Sequence, residues 1–162
     1  MLLVEHDSKW NKEFEAEAAL IRSVLEDEIV DIQHIGSTAI NNIKAKPIVD
    51  IAVLLSREEY LQAYTRDLAK MGYVYYPESS SVERLFYRKG DPVKFHLSLT
   101  QEGKTDYWRR QLVFRDYLNS HPDKAVEYQK LKEDLLIKDP TAGKIYSEGK
   151  SNFVRDVLEL AK

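Results

Sequence analysis

A Gly-Ser-Thr turn and a single acidic residue stand close together in the first third of the chain. The turn is Gly36, Ser37 and Thr38, and Asp50 interrupts the apolar run 47–53. Backbone N–H groups and hydroxyls in such a turn suit phosphate oxygens. An isolated carboxylate in an apolar strand stays ionised only where a cation, a metal ion or hydrogen-bond donors meet it. The pattern predicts a phosphate cradle beside Asp50, the candidate catalytic and metal-binding residue; a tight turn and a helix-capping Asp are the alternative.

Other polar residues near this turn could complete the site. His34 precedes the turn and could donate to a phosphate or orient the loop, and Lys46 could reach the same phosphates as a point charge. His96 could hold a divalent cation together with Asp50 from an adjacent strand, although an Asp–His hydrogen bond fits equally well. Arg84 begins a strand and is interpreted either as a phosphate clamp or as a charged residue that protects a sheet edge.

Apolar spacing predicts the elements that must position these residues. The run around Asp50 predicts a strand at 47–55 that is buried on both faces, after a strand that ends in the Gly-Ser turn. Gly36-Ser37 and Asp50 are therefore expected at the ends of neighbouring strands, opening on one cleft. The predicted class is α+β: a mixed sheet with flanking helices and a helical C-terminal layer. Strands are expected at 29–35, 47–55, 73–76, 84–88 and 93–100, with a hairpin turn at Gly90-Asp91-Pro92. Five helices are expected. The first follows Asp7 or Ser8, and the second follows a Ser56/Glu59 capping box and includes Tyr60. The third runs from Lys104 to Leu118, the fourth follows Ser120, and the fifth follows Pro140.

Each of the three C-terminal helices carries one cation on its apolar face. At about 100° per residue, Arg115, Lys132 and Lys150 fall among the apolar side chains of their helices. Unpaired Lys and Arg are rarely buried, because desolvating a charge costs several kcal/mol. The three cations are therefore predicted to converge on the cleft of the Gly36-Ser37 turn and bind phosphate. The alternatives are internal ion pairs with Asp50 and Asp116, or long side chains that carry their charge out to water.

These motifs, in this order, resemble the GrpB family of the nucleotidyltransferase superfamily. The superfamily pattern is a Gly-Ser turn followed by a strand with two alternating carboxylates; Asp50 fits the first, and Ala52 stands at the second. This chain departs from the family pattern at two places: it has Asn41-Asn42 after the turn, and it has Ser98 where many family members have a second histidine after His96. The resemblance implies a nucleotidyltransferase-like fold and at most one weakly bound Mg²⁺ ion, through Asp50 with His96 or water; Ala52→Asp would be expected to restore metal affinity. It rests on Trp10, Phe14, His34 to Thr38, Lys46-Pro47, Asp50, Gly72-Tyr73, Arg84, His96, Phe114 to Leu118, Tyr128, Lys132, Tyr146 and Lys150.

Two classes of function fit these residues. The first is nucleotidyl transfer to a small acceptor, which usually relies on two or three carboxylates that position two metal ions. The second is a non-catalytic module that binds a nucleotide or another phosphorylated metabolite in an inherited cleft. A scaffold without a small ligand is a third, weaker hypothesis. Whether the protein is an enzyme therefore stays open at this point.

Composition limits the alternatives further. The 162 residues fit a single domain, 1–162, and the formal net charge of -3 argues against general nucleic-acid binding. Cysteine is absent, which excludes disulfides and thiolate metal sites. No apolar stretch reaches the ~20 residues of a membrane span, and the start lacks a signal-peptide pattern. The expected partner is a small molecule rather than a membrane, the expected compartment is the cytoplasm, and the oligomeric state is left open.

Overall fold

The computed structural model describes residues 2–56, 61–103 and 106–162. Glu59 of the predicted capping box, Tyr60 and the predicted helix start at Lys104 lie outside these residues. Within the described ranges the predicted order of helices and strands is confirmed. The helices are α1 (Lys9–Leu25), α2 (Leu61–Ala69), α3 (Tyr107–Ser120), α4 (Pro122–Lys138) and α5 (Lys144–Leu160), and the strands are β1 (Ile29–Ile35), β2 (Val49–Leu55), β3 (Tyr73–Tyr75), β4 (Leu85–Lys89) and β5 (Phe95–Gln101).

The strands form one mixed sheet in the order β1-β2-β5-β4-β3. Strand β2 pairs with β1 in antiparallel orientation and with β5 in parallel orientation, so it lies inside the sheet. Strands β4 and β5 form the predicted antiparallel hairpin. Strand β2 begins two residues later than predicted, because Ile48 donates its N–H to the nearby carbonyl of Lys46 rather than to a neighbouring strand.

One face of the sheet carries the larger apolar core. Alternate residues of β2, among them Ile51 and Val53, point to this face and pack under α1 and α2. A second apolar cluster lies between the C-terminal helices and the loop that follows the Gly-Ser turn. Its members include Ile40, Ile43, Phe114, Leu118, Tyr128 and Val157.

The other face of the sheet is polar where it meets the C-terminal helices. Asp50 and Ala52 alternate with the core residues of β2, and His96 and Ser98 lie directly opposite them on β5. The prediction that β2 is buried on both faces therefore holds only in part, since Asp50 keeps a third of its side chain exposed. In the described ranges, no helix is both long enough and apolar enough to cross a membrane.

Candidate functional site

Gly36 brings the backbone of the turn against the Asp50 carboxylate. Ile35, the last residue of β1, pairs with Asp50 near the start of β2, so the turn and the carboxylate lie at the ends of neighbouring strands, as predicted. Gly36 has φ +74° and ψ -171°, a combination that is essentially reserved for glycine. A Cβ at this position would collide with Asp50 Oδ2. The turn can therefore approach the carboxylate only because residue 36 has no side chain.

Asp50 is hydrogen-bonded to His96. His96 Nδ1 donates to Asp50 Oδ1 at 3.0 Å, the hydrogen-bond alternative considered for this pair. Their side chains are 33% and 22% exposed, so both are partly accessible to solvent. Among the residues that the structure describes, no three His, Asp or Glu side chains are grouped closely enough to hold a metal ion.

His34 and Thr38 support the turn from beneath and are buried. His34 Nδ1 donates to Asn11 Oδ1 at 3.2 Å, and the Thr38 hydroxyl donates to His34 Nε2 at 2.9 Å. The His34 ring also stacks on Phe14. Burial lowers the pKa of His34 to about 4, and Asp50 opposes that shift only in part. His34 is therefore a neutral residue that orients the loop, which is the second of its two predicted roles.

The low pKa of His34 predicts a loss of stability as the pH falls from 6.5 to about 4. In that window the unfolded chain binds a proton that the folded protein does not, so acid favours unfolding. The full effect is about 3 kcal/mol, and it should be seen in urea unfolding followed across this range. His34→Gln should reduce the pH dependence; parallel curves for variant and wild type would contradict the assignment.

Three lysines lie within electrostatic range of Asp50: Lys46 from the loop before β2, Lys132 from α4 and Lys150 from α5. We call Lys46, Lys132 and Lys150 the lysine cluster. Burial is the main cause that lowers the pKa of each, mutual repulsion adds to it for Lys132 and Lys150, and the charge of Asp50 opposes it in all three. The pKa falls to about 7 for Lys132 and to about 8 for Lys150. The charge of Asp50 acts on all three lysines, and that of Glu133 acts on Lys132 as well.

Two tyrosines on the same helices hold this cluster. Lys132 Nζ lies 4.8 Å from the Tyr128 ring centroid, and Lys150 Nζ lies 4.4 Å from that of Tyr146. Each tyrosine precedes its lysine by four residues, one helical turn, so the spacing in the sequence already indicates that the two side chains can meet. Tyr128 also shares a hydrogen bond with the Ser37 side chain, and burial raises its pKa to about 12. The hydroxyl of Tyr128 therefore joins the turn to α4.

Two adjoining cavities open beside the turn. The inner cavity has a volume of about 310 Å³ and is lined by Gly36, Ser37, Tyr128 and Lys150, among others. The outer cavity, of about 790 Å³, shares Tyr128 and Lys150 with it and adds Arg84. The structure thus brings the Gly-Ser turn, one member of the lysine cluster and Arg84 to one continuous cleft.

Arg84 and Arg115 lie at opposite sides of this polar sheet face. Arg84 Nη1 donates to Ser98 Oγ at 2.9 Å. Arg115 Nη1 instead donates to Gln33 Oε1 at 2.8 Å and to the His34 carbonyl at 2.9 Å. Arg115 therefore ties α3 to β1 instead of lining the two cavities with Lys150, and Lys132 is buried beside them, so the predicted convergence of the three cations on the cleft holds only for Lys150. Its interaction with the neighbouring Asp116 is an ion pair of 2.8 Å.

Arg88 was missed in the sequence. It lies opposite His96 in the β4–β5 pair, its guanidinium stacks 4.4 Å from the Tyr76 ring centroid, and its charge lowers the pKa of Lys46. Its Nε is buried and has no hydrogen-bond partner in the described part of the chain. The predicted hairpin could have indicated Arg88, because a residue two positions after Phe86 lies on the same face of the strand as Phe86.

Comparisons with known proteins identify relatives along nearly the whole chain. The profile of the family described as GrpB protein matches residues 1–160. Glutamate-rich protein GrpB of Alkalihalophilus pseudofirmus is 32% identical, with 98% of this chain and 94% of that protein covered. The protein YqkA of Bacillus subtilis is also 32% identical over 99% of this chain, which spans 47% of the length of YqkA.

Solved structures show the same fold. The crystal structure of conserved protein GrpB from Enterococcus faecalis matches with a TM-score of 0.90 and 30% identity, covering 99% of this chain and 96% of that one. A structure of the Cid1 poly(U) polymerase bound to MgATP matches with a TM-score of 0.54 and 14% identity, covering 83% of this chain and 43% of that one. At that identity the likeness concerns the fold alone, which is nucleotidyltransferase-like.

Proposed function

The chain belongs to the GrpB family, and from that premise we propose that it binds a nucleotide or another phosphorylated small molecule in the cleft between the polar sheet face and α3 to α5. The single observation that carries this function is the lysine cluster beside the Gly36-Ser37 turn. The charge of Asp50, which already accepts a hydrogen bond from His96, acts on all three lysines, and Lys150 lines the inner cavity together with Ser37. Such an excess of buried positive charge is costly unless an anion joins it.

The donors around the cleft suit a phosphate group. Ammonium groups bind phosphate oxygens as point charges, and a guanidinium can bind two oxygens at once. Lys150 and Ser37 line the inner cavity, and Arg84 lines the outer one. Cavities of 310 and 790 Å³ are in the usual size range of small-molecule sites. A ligand could place its phosphate near Ser37 in the inner cavity and the rest of the molecule in the outer cavity, so that both cavities are filled.

Nucleotidyl transfer is the second candidate, favoured by the fold that the chain shares with Cid1. That chemistry would need metal ions held by at least two carboxylates. Ala52 stands where the second would be, and Asp50 with His96 offers one weak site at most. Binding without transfer is therefore the function that the residues of this chain support best, and the cytoplasm remains the expected compartment.

Calorimetric titration with inorganic pyrophosphate, AMP and ATP, with and without Mg²⁺, tests this function. We expect binding by the wild type, and Lys150→Met should weaken it by about tenfold or more, since a charge-assisted contact to a buried anion is lost. Lys144→Met is the matched control, because Lys144 lies on the same helix, is 84% exposed and pairs with Glu148. Equal affinities of the two variants, or no binding of any phosphate compound, would contradict phosphate binding at this site.

Proton uptake provides a second readout of the same titration. Near pH 8 the free protein holds Lys150 about half protonated and Lys132 mostly neutral. A bound anion favours the ammonium forms, so binding should take up protons from the buffer. Titration in two buffers with different ionisation enthalpies measures this uptake, which Lys150→Met should reduce and Lys144→Met should not.

A further inference from the structure

Ala52, which stands at the strand position of the missing second carboxylate, has two polar neighbours. Ala52 is fully buried on β2, on the same face as Asp50. Its partners across the sheet are Gln33 on β1 and Ser98 on β5. Directly paired residues point their side chains to the same face, so Gln33 and Ser98 flank the place where a second acidic side chain would stand.

A guanidinium group is hydrogen-bonded to each of these neighbours. Arg84 Nη1 donates to Ser98 Oγ at 2.9 Å, and Arg115 Nη1 donates to Gln33 Oε1 at 2.8 Å. In a site built for metal ions, carboxylate oxygens would be expected at such positions. Here the neighbourhood of Ala52 carries positive charge, which repels a divalent cation.

Arg84 is held in place and faces the ligand cavity. Its guanidinium carbon lies 4.4 Å from the ring centroid of Phe86 and 5.4 Å from that of Tyr107, so the planar group is stacked between aromatic rings. It lines the outer cavity together with Lys150. Across residues 2–56, 61–103 and 106–162, no carboxylate forms an ion pair with Arg84. Its charge is therefore available to an anion in the cavity.

The side chains present do not fit the pair of metal ions that this fold implies. Asp50 and His96, the two candidate ligands, bond to each other, and the described residues supply no third ligand. We propose that Arg84 replaces the second metal position in this protein and binds the oxyanion of the ligand directly, so that phosphate binding needs no divalent metal ion. This proposal rests on the phosphate binding proposed above. It adds that the phosphate or polyphosphate group of the ligand binds without a metal ion.

Titration of the full chain with inorganic pyrophosphate, in EDTA and in excess Mg²⁺, tests this assignment. We expect binding in EDTA to be at least as tight as binding with Mg²⁺. Arg84→Met should weaken it by about tenfold or more, because a bidentate charged contact is lost. Arg84→Lys should recover only part of the loss, since an ammonium lacks the planar fork. Arg66→Met, an exposed arginine on α2 on the other side of the sheet, should bind like the wild type.

Ala52→Asp gives an independent readout by metal titration. With Arg84 in place, the new carboxylate should pair with the guanidinium and gain no Mn²⁺ affinity, whereas Ala52→Asp combined with Arg84→Met should bind Mn²⁺. This revises the expectation that the single substitution restores a metal site. Thermal unfolding of both variants establishes that they are folded before the titration.

The outcomes separate this assignment from phosphate binding itself. If pyrophosphate binding requires Mg²⁺, the role of Arg84 is overturned and the phosphate site still stands. The same conclusion follows if Arg84→Met leaves binding intact while Lys150→Met weakens it. Strong Mn²⁺ binding by Ala52→Asp alone overturns it as well. Absence of pyrophosphate binding under every condition overturns both.

Discussion

Gly36→Ala is expected to destabilise the protein by about 3 kcal/mol, from a strained backbone and a steric clash together. Residue 36 has φ +74° and ψ -171°, which a residue with a Cβ adopts only at a cost. The added methyl group would also meet the Asp50 carboxylate, and that carboxylate cannot retreat without giving up its hydrogen bond to His96. Urea unfolding at neutral pH measures the loss, and calorimetry should show weakened phosphate binding.

Gly103→Ala is the matched control for this substitution. Gly103 has a similar φ of +76°, but a Cβ built there meets no atom of the described residues within 4 Å. Gly103→Ala therefore measures the cost of a positive φ in the absence of a steric contact. In the double variant with Asp50→Ala, part of the loss at Gly36 should be recovered. If Gly36→Ala were no worse than Gly103→Ala, the close approach of the turn to Asp50 would be disproved.

Local patterns in the sequence predict most of the architecture for a clear physical reason. Helical and strand periodicities record which side of each element faces an apolar layer, and every element here has such a side. The observed boundaries differ from the predicted ones by one to three residues where backbone hydrogen bonding, rather than the apolar pattern, decides the end of an element. At Ile48 the N–H donates to the Lys46 carbonyl, so β2 begins at Val49.

The candidate site is predicted less completely, because it depends on which layers meet. Periodicity indicates that Arg115 and Lys132 both face inward, but it does not say what each one meets. Arg115 meets the edge strand β1, where the His34 carbonyl and the Gln33 side chain accept its N–H groups. Lys132 meets the loop before β2 and lies near the other two lysines. Similarly, Thr38 belongs to a motif typical of phosphate binding, yet its hydroxyl is turned inward to His34.

Lys132→Met is expected to stabilise the protein and at the same time to weaken phosphate binding. Lys132 is 1% exposed, and its ammonium donates to the Lys44 carbonyl at 3.0 Å, a neutral partner. Burial, then repulsion from Lys150 and Lys46, lowers its pKa to about 7, so the charged form is disfavoured in the folded protein. A Met side chain of similar volume avoids this cost, and although the Lys44 carbonyl loses its donor, a net gain in stability is expected. The same change removes positive charge from the cluster, and pyrophosphate affinity should fall by about tenfold.

The pH dependence of stability distinguishes this explanation from a general packing effect. Between pH 7 and 10.5 the unfolded chain keeps the Lys132 proton that the folded protein has lost, so the stability of the wild type should rise with pH across that window. Lys132→Met should lack this part of the rise. Lys130→Met is the control on the same helix, since Lys130 is 78% exposed, and both its stability and its affinity should match the wild type. A destabilised Lys132→Met with unchanged affinity would mean that the lysine serves the fold through the Lys44 carbonyl. Higher stability with lost affinity would instead mean that the protein keeps a costly buried cation because its ligand requires it.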